Sequence, residues 1–186
     1  MVSRYIRFAP LAAFAAMLVA TPANAELPVG ALAPDIATQG AMGGKVVPFS
    51  LKAALKKGAV VLYFYPKAFT QGCTLEAHAF AEATADFKKA GAMVVGMSAD
   101  DVPTLQRFST EACRDKFAVA SASPAVVKAY DVALKKADGT VLPITSRTSY
   151  VIARGGRIVM VHSNMDYRDH VKLTLEAVRK LKAKKG

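Results

Sequence analysis

The sequence contains few cysteines, and their spacing argues against one class of redox protein. Cys73 and Cys113 are the two cysteines among 186 residues. Thiol–disulfide oxidoreductases need a Cys-x-x-Cys motif, and Thr70 stands where the first cysteine of that motif would be. This one difference argues strongly against a thiol–disulfide oxidoreductase.

Histidines are equally scarce, which argues against a metal centre. The three are His78, His162 and His170, and their positions show no metal-ligand spacing with the cysteines. We therefore expect them to be ordinary surface or core residues, and we expect no metal ligands.

Long apolar runs are missing except at the amino terminus. There, residues 8–20 follow the basic residues Arg4 and Arg7 and precede Ala23-Asn24-Ala25, a cleavage site of the A-x-A type. The run is shorter than the roughly 20 residues of a spanning helix, so a signal peptide over residues 1–25 is favoured over a membrane anchor. The sequence predicts a soluble protein that begins at Glu26 and is periplasmic or secreted, where disulfides are permitted.

No repeat, low-complexity tract or linker divides residues 26–186, which predicts one domain. The formal net charge is +11, with lysines concentrated at the carboxyl end: Lys180, Lys182, Lys184 and Lys185. Such a tail is typical of nucleic-acid binding, but lysines at a helix end also interact favourably with the helix dipole. Because an exported protein rarely meets nucleic acid, we interpret the tail as a solvated helix end.

Helical and strand-like patterns alternate along the chain. They predict helices over residues 50–57, 73–91, 101–114, 123–130 and from about 166, and strands over 60–65, 93–97, 118–120, 148–152 and 158–162. The last helix carries an apolar stripe of Val171, Leu175, Val178 and Leu181. This alternation favours an α/β layer protein with a partly parallel sheet.

Cys73 follows the buried-strand pattern of residues 60–65 and opens the next helix. Pro66 ends the strand, and Thr70 is an N-cap type of residue before Leu75, Glu76 and Ala77. A thiol at a helix amino terminus faces unpaired N–H groups and the positive end of the dipole, which favour thiolate over thiol. The position predicts a nucleophile.

The segment 63–76 resembles the active-site segment of peroxiredoxins, most closely the bacterioferritin-comigratory or Q-type branch. The pattern Pro-x-x-x-Thr-x-x-Cys is filled by Pro66, Thr70 and Cys73, and residues 147–152 resemble the segment with the family's active-site arginine. The strand pattern of residues 94–100 also matches, and the resemblance runs from about Pro28 to the last helix. It implies a thioredoxin-like fold with peroxiredoxin additions, in which helices flank a central mixed sheet.

The resemblance also implies a chemistry, the reduction of hydrogen peroxide and organic hydroperoxides by the Cys73 thiolate. Arg147 would hold thiolate and peroxide with its planar charged fork, and the Thr70 hydroxyl would donate a hydrogen bond to the peroxide and accept one elsewhere. Pro66 would shield the thiolate from water, and Glu76 would orient Arg147, although an acid in the first helical turn also fits a purely structural role. Neither haem nor metal is implied.

Cys113 has three possible roles. Q-type relatives often place a resolving cysteine five residues after the nucleophile, where this chain has His78, and some use the helix that carries Cys113 here. Cys113 could instead be a core residue or form a static disulfide with Cys73. We favour a resolving role, in which Cys113 captures the Cys73 sulfenic acid as a disulfide and a thioredoxin-like exported protein then reduces that disulfide. The protein is expected to be a monomer or weak dimer, and the alternatives are a thiol–disulfide oxidoreductase or a non-catalytic domain on the same scaffold.

Overall fold

The architecture is taken from a computed structural model that describes residues 26–183. The signal peptide predicted over residues 1–25 lies outside the described residues. Within residues 26–183, no helix is both long and apolar enough to cross a membrane.

A seven-stranded mixed sheet forms the centre of the molecule. Its strands are β1 (Ala37–Met42), β2 (Lys45–Ser50), β3 (Ala59–Phe64), β4 (Ala92–Ser98), β5 (Ala118–Ser121), β8 (Thr148–Ile152) and β9 (Ile158–Ser163), in the order β2-β1-β5-β4-β3-β8-β9. β3, β4 and β5 run parallel, whereas β1, β2, β8 and β9 pair antiparallel with their neighbours. Two short strands, β6 (Ala133–Lys135) and β7 (Val141–Thr145), form a separate ribbon.

Helices cover both faces of this sheet. They are α1 (Leu51–Lys57), α2 (Gln71–Lys89), α3 (Val102–Glu111), α4 (Pro124–Ala129) and α5 (His170–Ala183), and a short 3-10 helix over Tyr167–Asp169 precedes α5. The predicted α/β class, with a central mixed sheet flanked by helices, is therefore confirmed.

The two faces of β3 belong to two different hydrophobic cores, because successive side chains of a strand point in opposite directions. Val61 and Tyr63 pack on one side among residues of α2, α3 and α5. Val60, Leu62 and Phe64 pack on the other side with residues of α1. All five are fully buried, which explains the continuous apolar run in the sequence.

Gly96 in β4 makes room for the ring of Tyr63, its partner in the parallel ladder. A Cβ at position 96 would lie 2.8 Å from Cζ of Tyr63, closer than carbon atoms approach. The absence of a side chain at this site is therefore a packing requirement of the core beneath α2.

Three sequence predictions differ from the structure. The helix beginning at Asp101 ends at Glu111 rather than near Cys113, because Arg114 and Asp115 adopt left-handed backbone conformations with φ of 49° and 57°. The final helix begins at His170, since the stretch after Asp166 is first a 3-10 turn. Strands β1, β2, β6 and β7 had no counterpart in the prediction, because Gly, Pro and Lys interrupt their alternation.

Candidate active site

Cys73 is the third residue of α2, the helix that follows the turn after β3. Thr70 is the N-cap with extended backbone angles, as the sequence predicted. The cysteine is 1% exposed and lies in the core on the α2 side of the sheet. Its sulfur is thus removed from bulk water while the helix amino terminus faces it.

Arg147 reaches Cys73 from the start of β8, the strand that pairs antiparallel with β3. Its Nη2 lies 3.4 Å from Sγ of Cys73, and its Nη1 donates to Oε2 of Glu76. Nε donates to the carbonyl of Met165 at 3.0 Å, so each nitrogen of the guanidinium has a partner. The nearby Glu76 and Cys73 outweigh burial and raise the pKa of Arg147, which keeps its charge beside the sulfur.

Glu76 lies one turn after Cys73 on the same helix, and three-residue spacing places both side chains on one face. The carboxyl group is fully buried. Burial raises the pKa of Glu76 to about 8, although Arg147 acts in the opposite direction. The structure thus brings together Cys73, Glu76 and Arg147, three residues that the sequence analysis proposed for one site.

The turn between β3 and α2 holds two further predicted residues, Pro66 and Thr70. Asp100 fixes this turn by accepting a hydrogen bond from the Ala68 N–H at 2.7 Å. Thr70 is exposed, and its hydroxyl donates to the Lys67 carbonyl at 2.9 Å and accepts no hydrogen bond from the first N–H groups of α2. The lone pairs of this hydroxyl therefore remain free to accept a hydrogen bond from a molecule at the turn.

Comparison with known proteins identifies the family. The sequence profile of the AhpC/TSA family matches residues 29–161. The chain belongs to the AhpC/TSA family.

Named relatives of this AhpC/TSA protein are peroxiredoxins. It is 29% identical to peroxiredoxin Bcp of Bacillus subtilis over 84% of this chain and 98% of that one. It is 31% identical to the chloroplastic peroxiredoxin Q of Sedum lineare over 75% and 78% of the two chains. A putative peroxiredoxin bcp of Helicobacter pylori is 46% identical, but the match spans 46% of this chain and about half, 54%, of the relative.

Solved structures of the same group share the fold. Peroxidoxin BcpB from Mycobacterium tuberculosis superposes with a TM-score of 0.72 and 29% identity, covering 82% of this chain and 97% of that one. Peroxiredoxin Q from Xanthomonas campestris gives a TM-score of 0.68 at 27% identity, with 77% and 90% covered. The thioredoxin-like fold expected from the sequence is confirmed by these neighbours.

The second cysteine of this AhpC/TSA protein lies in the turn that follows α3. Cys113 is fully buried, and its N–H donates to the Phe108 carbonyl at 3.1 Å. Both cysteines are free thiols and belong to the same hydrophobic cluster. Burial raises the pKa of the Cys113 thiol, so in the folded chain this sulfur is protonated.

Sequence reasoning missed the second layer of the site, which consists of His170 and Ser149. His170 is fully buried, and its Nδ1 lies 2.8 Å from the Ser149 hydroxyl and 3.7 Å from Oε1 of Glu76. Burial lowers the pKa of His170 to about 4, so the ring is neutral. The contact with Glu76 joins residues far apart in sequence, and no spacing rule signals such a pair.

Proposed function

We propose that this chain is a thiol peroxidase that reduces hydrogen peroxide and organic hydroperoxides through a sulfenic acid at Cys73. The single observation that carries the proposal is the contact between Nη2 of Arg147 and Sγ of Cys73 at the start of α2. A fixed cation and the helix dipole together favour the thiolate, which is the reactive form. The family of this chain and the named peroxiredoxin relatives support the same chemistry.

In the proposed reaction, the sulfur of Cys73 donates two electrons to one peroxide oxygen. The S–O bond forms while the O–O bond breaks, and hydroxide or alkoxide leaves and takes up a proton. Negative charge moves from sulfur to the leaving oxygen, so a charged donor beside both atoms stabilises the transition state. Arg147 would take that role, and its contacts with Glu76 and the Met165 carbonyl, which hold the guanidinium, support this proposal.

Thr70 and Pro66 would complete the peroxide site. The hydroxyl hydrogen of Thr70 is committed to the Lys67 carbonyl, so the oxygen would accept the O–H of the peroxide. Pro66 offers no N–H, and its half-buried ring would shield the thiolate side of the turn from water.

We propose that Cys113 resolves the sulfenic acid as a disulfide within the chain. Both sulfurs are free in the folded chain, so the segments that carry them would have to move before a disulfide can form. Arg114 and Asp115 support this step, because two consecutive left-handed residues that are not glycine make the turn less stable. A thioredoxin-like reductant would then regenerate both thiols.

We also propose that the protein is exported after cleavage of residues 1–25, as the amino-terminal sequence predicts. Amino-terminal sequencing of the mature protein from the periplasm or medium should begin at Glu26. Recovery of the full-length chain from the cytoplasm would contradict export without affecting the proposed chemistry.

The proposed substrates include organic hydroperoxides because one structural neighbour is described as reducing alkyl peroxides. The trapped intermediate and ligand structures of Xanthomonas campestris bacterioferritin comigratory protein concern alkyl peroxide reduction, and that protein is 27% identical to this chain. Half-exposed apolar side chains at the site, Phe69, Leu75 and Met165, offer contacts for an alkyl group.

The decisive experiment is a multi-turnover peroxidase assay of the parent and Cys73→Ser proteins with a thioredoxin-type reductant. We expect the variant to lose turnover, because a serine hydroxyl is far less acidic than a thiol. Cys113→Ser, which also removes one thiol, is the matched control in a single-turnover measurement, where it should still consume one equivalent of peroxide while Cys73→Ser consumes none. Turnover that persists without Cys73 would contradict the proposal.

A further inference from the structure

The central sheet has a gap between β4 and β5, at the end of the sheet where β4 begins. β4 starts at Ala92, whereas its pairing with β5 starts only at Val95, opposite Ala118. A groove with a volume of about 340 Å³ lies in this gap, and β1, β2, α1 and α2 also border it. This volume falls within the roughly 300–1,000 Å³ that small-molecule sites occupy.

The walls of the groove are apolar and come from both hydrophobic cores. Val94 and Phe117 belong to the core on the α2 side of the sheet, whereas Phe49 and Val95 belong to the core on the α1 side. All four residues are buried. A hydrocarbon group in the gap would therefore contact both cores at once, which favours a ligand with an apolar body.

The backbone of β4 also points into the groove. The carbonyl of Ser98 accepts the N–H of Ala122, so it faces the β5 side of β4. Successive residues of a strand direct their backbone groups to opposite sides, and Ala92 lies an even number of residues before Ser98, so its N–H and C=O face the β5 side too. No residue of β5 lies opposite Ala92, because the pairing starts at Val95 with Ala118. Ala92 is buried, and its N–H is therefore a donor that a bound group can satisfy.

Three exposed lysines line the same groove. Lys57 ends α1, Lys88 lies in the last turn of α2, and Lys116 precedes β5. Within residues 26–183, none of the three lies within salt-bridge distance of a carboxylate, and no acidic side chain lines the groove. Positive charge at the opening of an apolar groove attracts anions, so the charge selects a ligand with a negative head group.

We propose that this groove is a binding site for small amphipathic carboxylates, with the carboxylate among the lysines and the hydrocarbon body in the gap beside β4. An added peptide strand fits less well, because Ala92–Val94 offer only three unpaired residues and strands usually have about five or six. The site is distinct from that of Cys73, which lies at the opposite end of α2 from Lys88.

A ligand in the groove would also contact the segment that follows Cys113. Lys116 and Phe117 line the groove, and the Lys116 N–H donates to the Cys113 carbonyl at 2.9 Å. Binding to these two residues stabilises the conformation in which that hydrogen bond is formed. Hydrogen exchange of the Lys116 amide should therefore slow when the site is occupied.

Isothermal titration calorimetry of the protein with acetate, hexanoate, octanoate and octanol tests the ligand class without peroxide. Each CH₂ group that enters the groove should lower Kd by about fourfold, so octanoate should bind about 15-fold more tightly than hexanoate. Octanol, which lacks the charge, should bind more weakly than octanoate. Equal affinities for acetate and octanoate, or for octanol and octanoate, would overturn the proposal.

Charge variants then test the lysines. Lys57→Gln, Lys88→Gln and Lys116→Gln each remove one charge and should raise the Kd of octanoate by about two- to fivefold, the range for exposed ion pairs. Lys128→Gln is the matched control, because Lys128 is an exposed lysine of α4 outside the groove, and it should leave Kd unchanged. An equal loss in this control, or no loss in any of the three groove variants, would contradict the proposed site.

Backbone NMR locates the bound octanoate. The amide signals of Ala92 and Phe117 should shift, and at ten times Kd the exchange of the Lys116 amide should slow by about tenfold. Changes confined to the surroundings of Cys73 would place the anion in the peroxide site and overturn the proposal. Protection of the Lys116 amide that rises with protein concentration, without octanoate, would identify a second copy of the chain as the occupant and overturn it as well.

Discussion

Arg147 shows how a single side chain organises the site at the scale of one residue. Its three nitrogens point to three different partners, namely the sulfur of Cys73, the carboxyl of Glu76 and the carbonyl of Met165. Such a pattern uses the planar geometry of guanidinium as well as its charge. A lysine ammonium in the same place would keep the charge but not the fixed directions.

Arg147→Lys is therefore expected to lower the second-order rate with hydrogen peroxide by roughly 10²–10³-fold, as seen when transition-state donors are lost. Stopped-flow measurement of Cys73 oxidation gives this rate directly. Arg154→Lys, at a solvent-exposed arginine that donates to the Lys56 carbonyl, is the matched control. A rate for Arg147→Lys within twofold of the parent would show that this side chain does not act on the reacting atoms.

At the scale of elements, an aromatic contact connects the turn before α2 with α3. Phe69 has a left-handed backbone conformation with φ of 63°. Its ring packs edge-to-face against the ring of Phe108, with the two ring centroids 5.2 Å apart. The carbonyl of Phe108 accepts the N–H of Cys113. Phe108 thus links the turn that precedes α2 with the turn that carries Cys113.

Cys113→Ser should react once with peroxide and then stop, because no second thiol captures the sulfenic acid. Under excess oxidant its Cys73 should proceed to sulfinic acid, a fate known for peroxiredoxins. Mass spectrometry of the variant and peptide mapping of the oxidised parent provide the measurement, and the parent should show a Cys73–Cys113 link within one chain. Normal turnover of the variant would mean that Cys113 is a core residue.

Gly96→Ala tests the packing of β4 against β3. The added methyl group would lie 2.8 Å from a ring carbon of Tyr63, and that ring is fully buried. We expect a loss of about 1–3 kcal/mol in the free energy of unfolding, measured by denaturant titration. Gly155→Ala, where a Cβ has no neighbour within 4 Å, should change stability by less than about 0.5 kcal/mol.

The elements that the sequence predicted well have local signals in the sequence. Capping residues mark where they begin, and runs or stripes of apolar residues mark their buried sides. The N-cap residues Ser50, Asp101 and Ser123 occur where the sequence placed them, and each accepts a bond from the amide three residues later. The end of α3 was missed because left-handed residues other than glycine carry no sequence signal. The contact of His170 with Glu76 was missed because the fold, rather than spacing, brings them together.

At the scale of the whole molecule, buried titratable groups make stability depend on pH. Burial raises the pKa of Glu76 from 4.5 to about 8, so the folded state binds a proton that the unfolded state has already lost between these values. The contribution of Glu76 to the free energy of unfolding is fully present below pH 4.5, and it is lost as pH rises through about 8. His170 acts oppositely, because its pKa is lowered from 6.5 to about 4 and its contribution disappears as pH falls through that range.

The free energy of unfolding should therefore decline as pH rises from 6.5 toward 8. In this range His170 is neutral in both the folded and the unfolded state, whereas Glu76 is ionised in the unfolded state and protonated in the folded one. The limiting slope for one proton is about 1.4 kcal/mol per pH unit. Denaturant titrations across this range should show the decline in the parent and a smaller one in Glu76→Gln. Equal slopes in the two proteins would mean that Glu76 is ionised in the folded state.

The 1% exposure of Cys73 also determines which oxidants can reach it. Thiol–disulfide exchange requires a bulky S–S bond to align with the attacking sulfur, and burial on this scale denies that approach. Hydrogen peroxide has only two heavy atoms and needs far less room. For the proposed peroxidase reaction, this burial would favour small peroxides over disulfides as oxidants of the resting thiol.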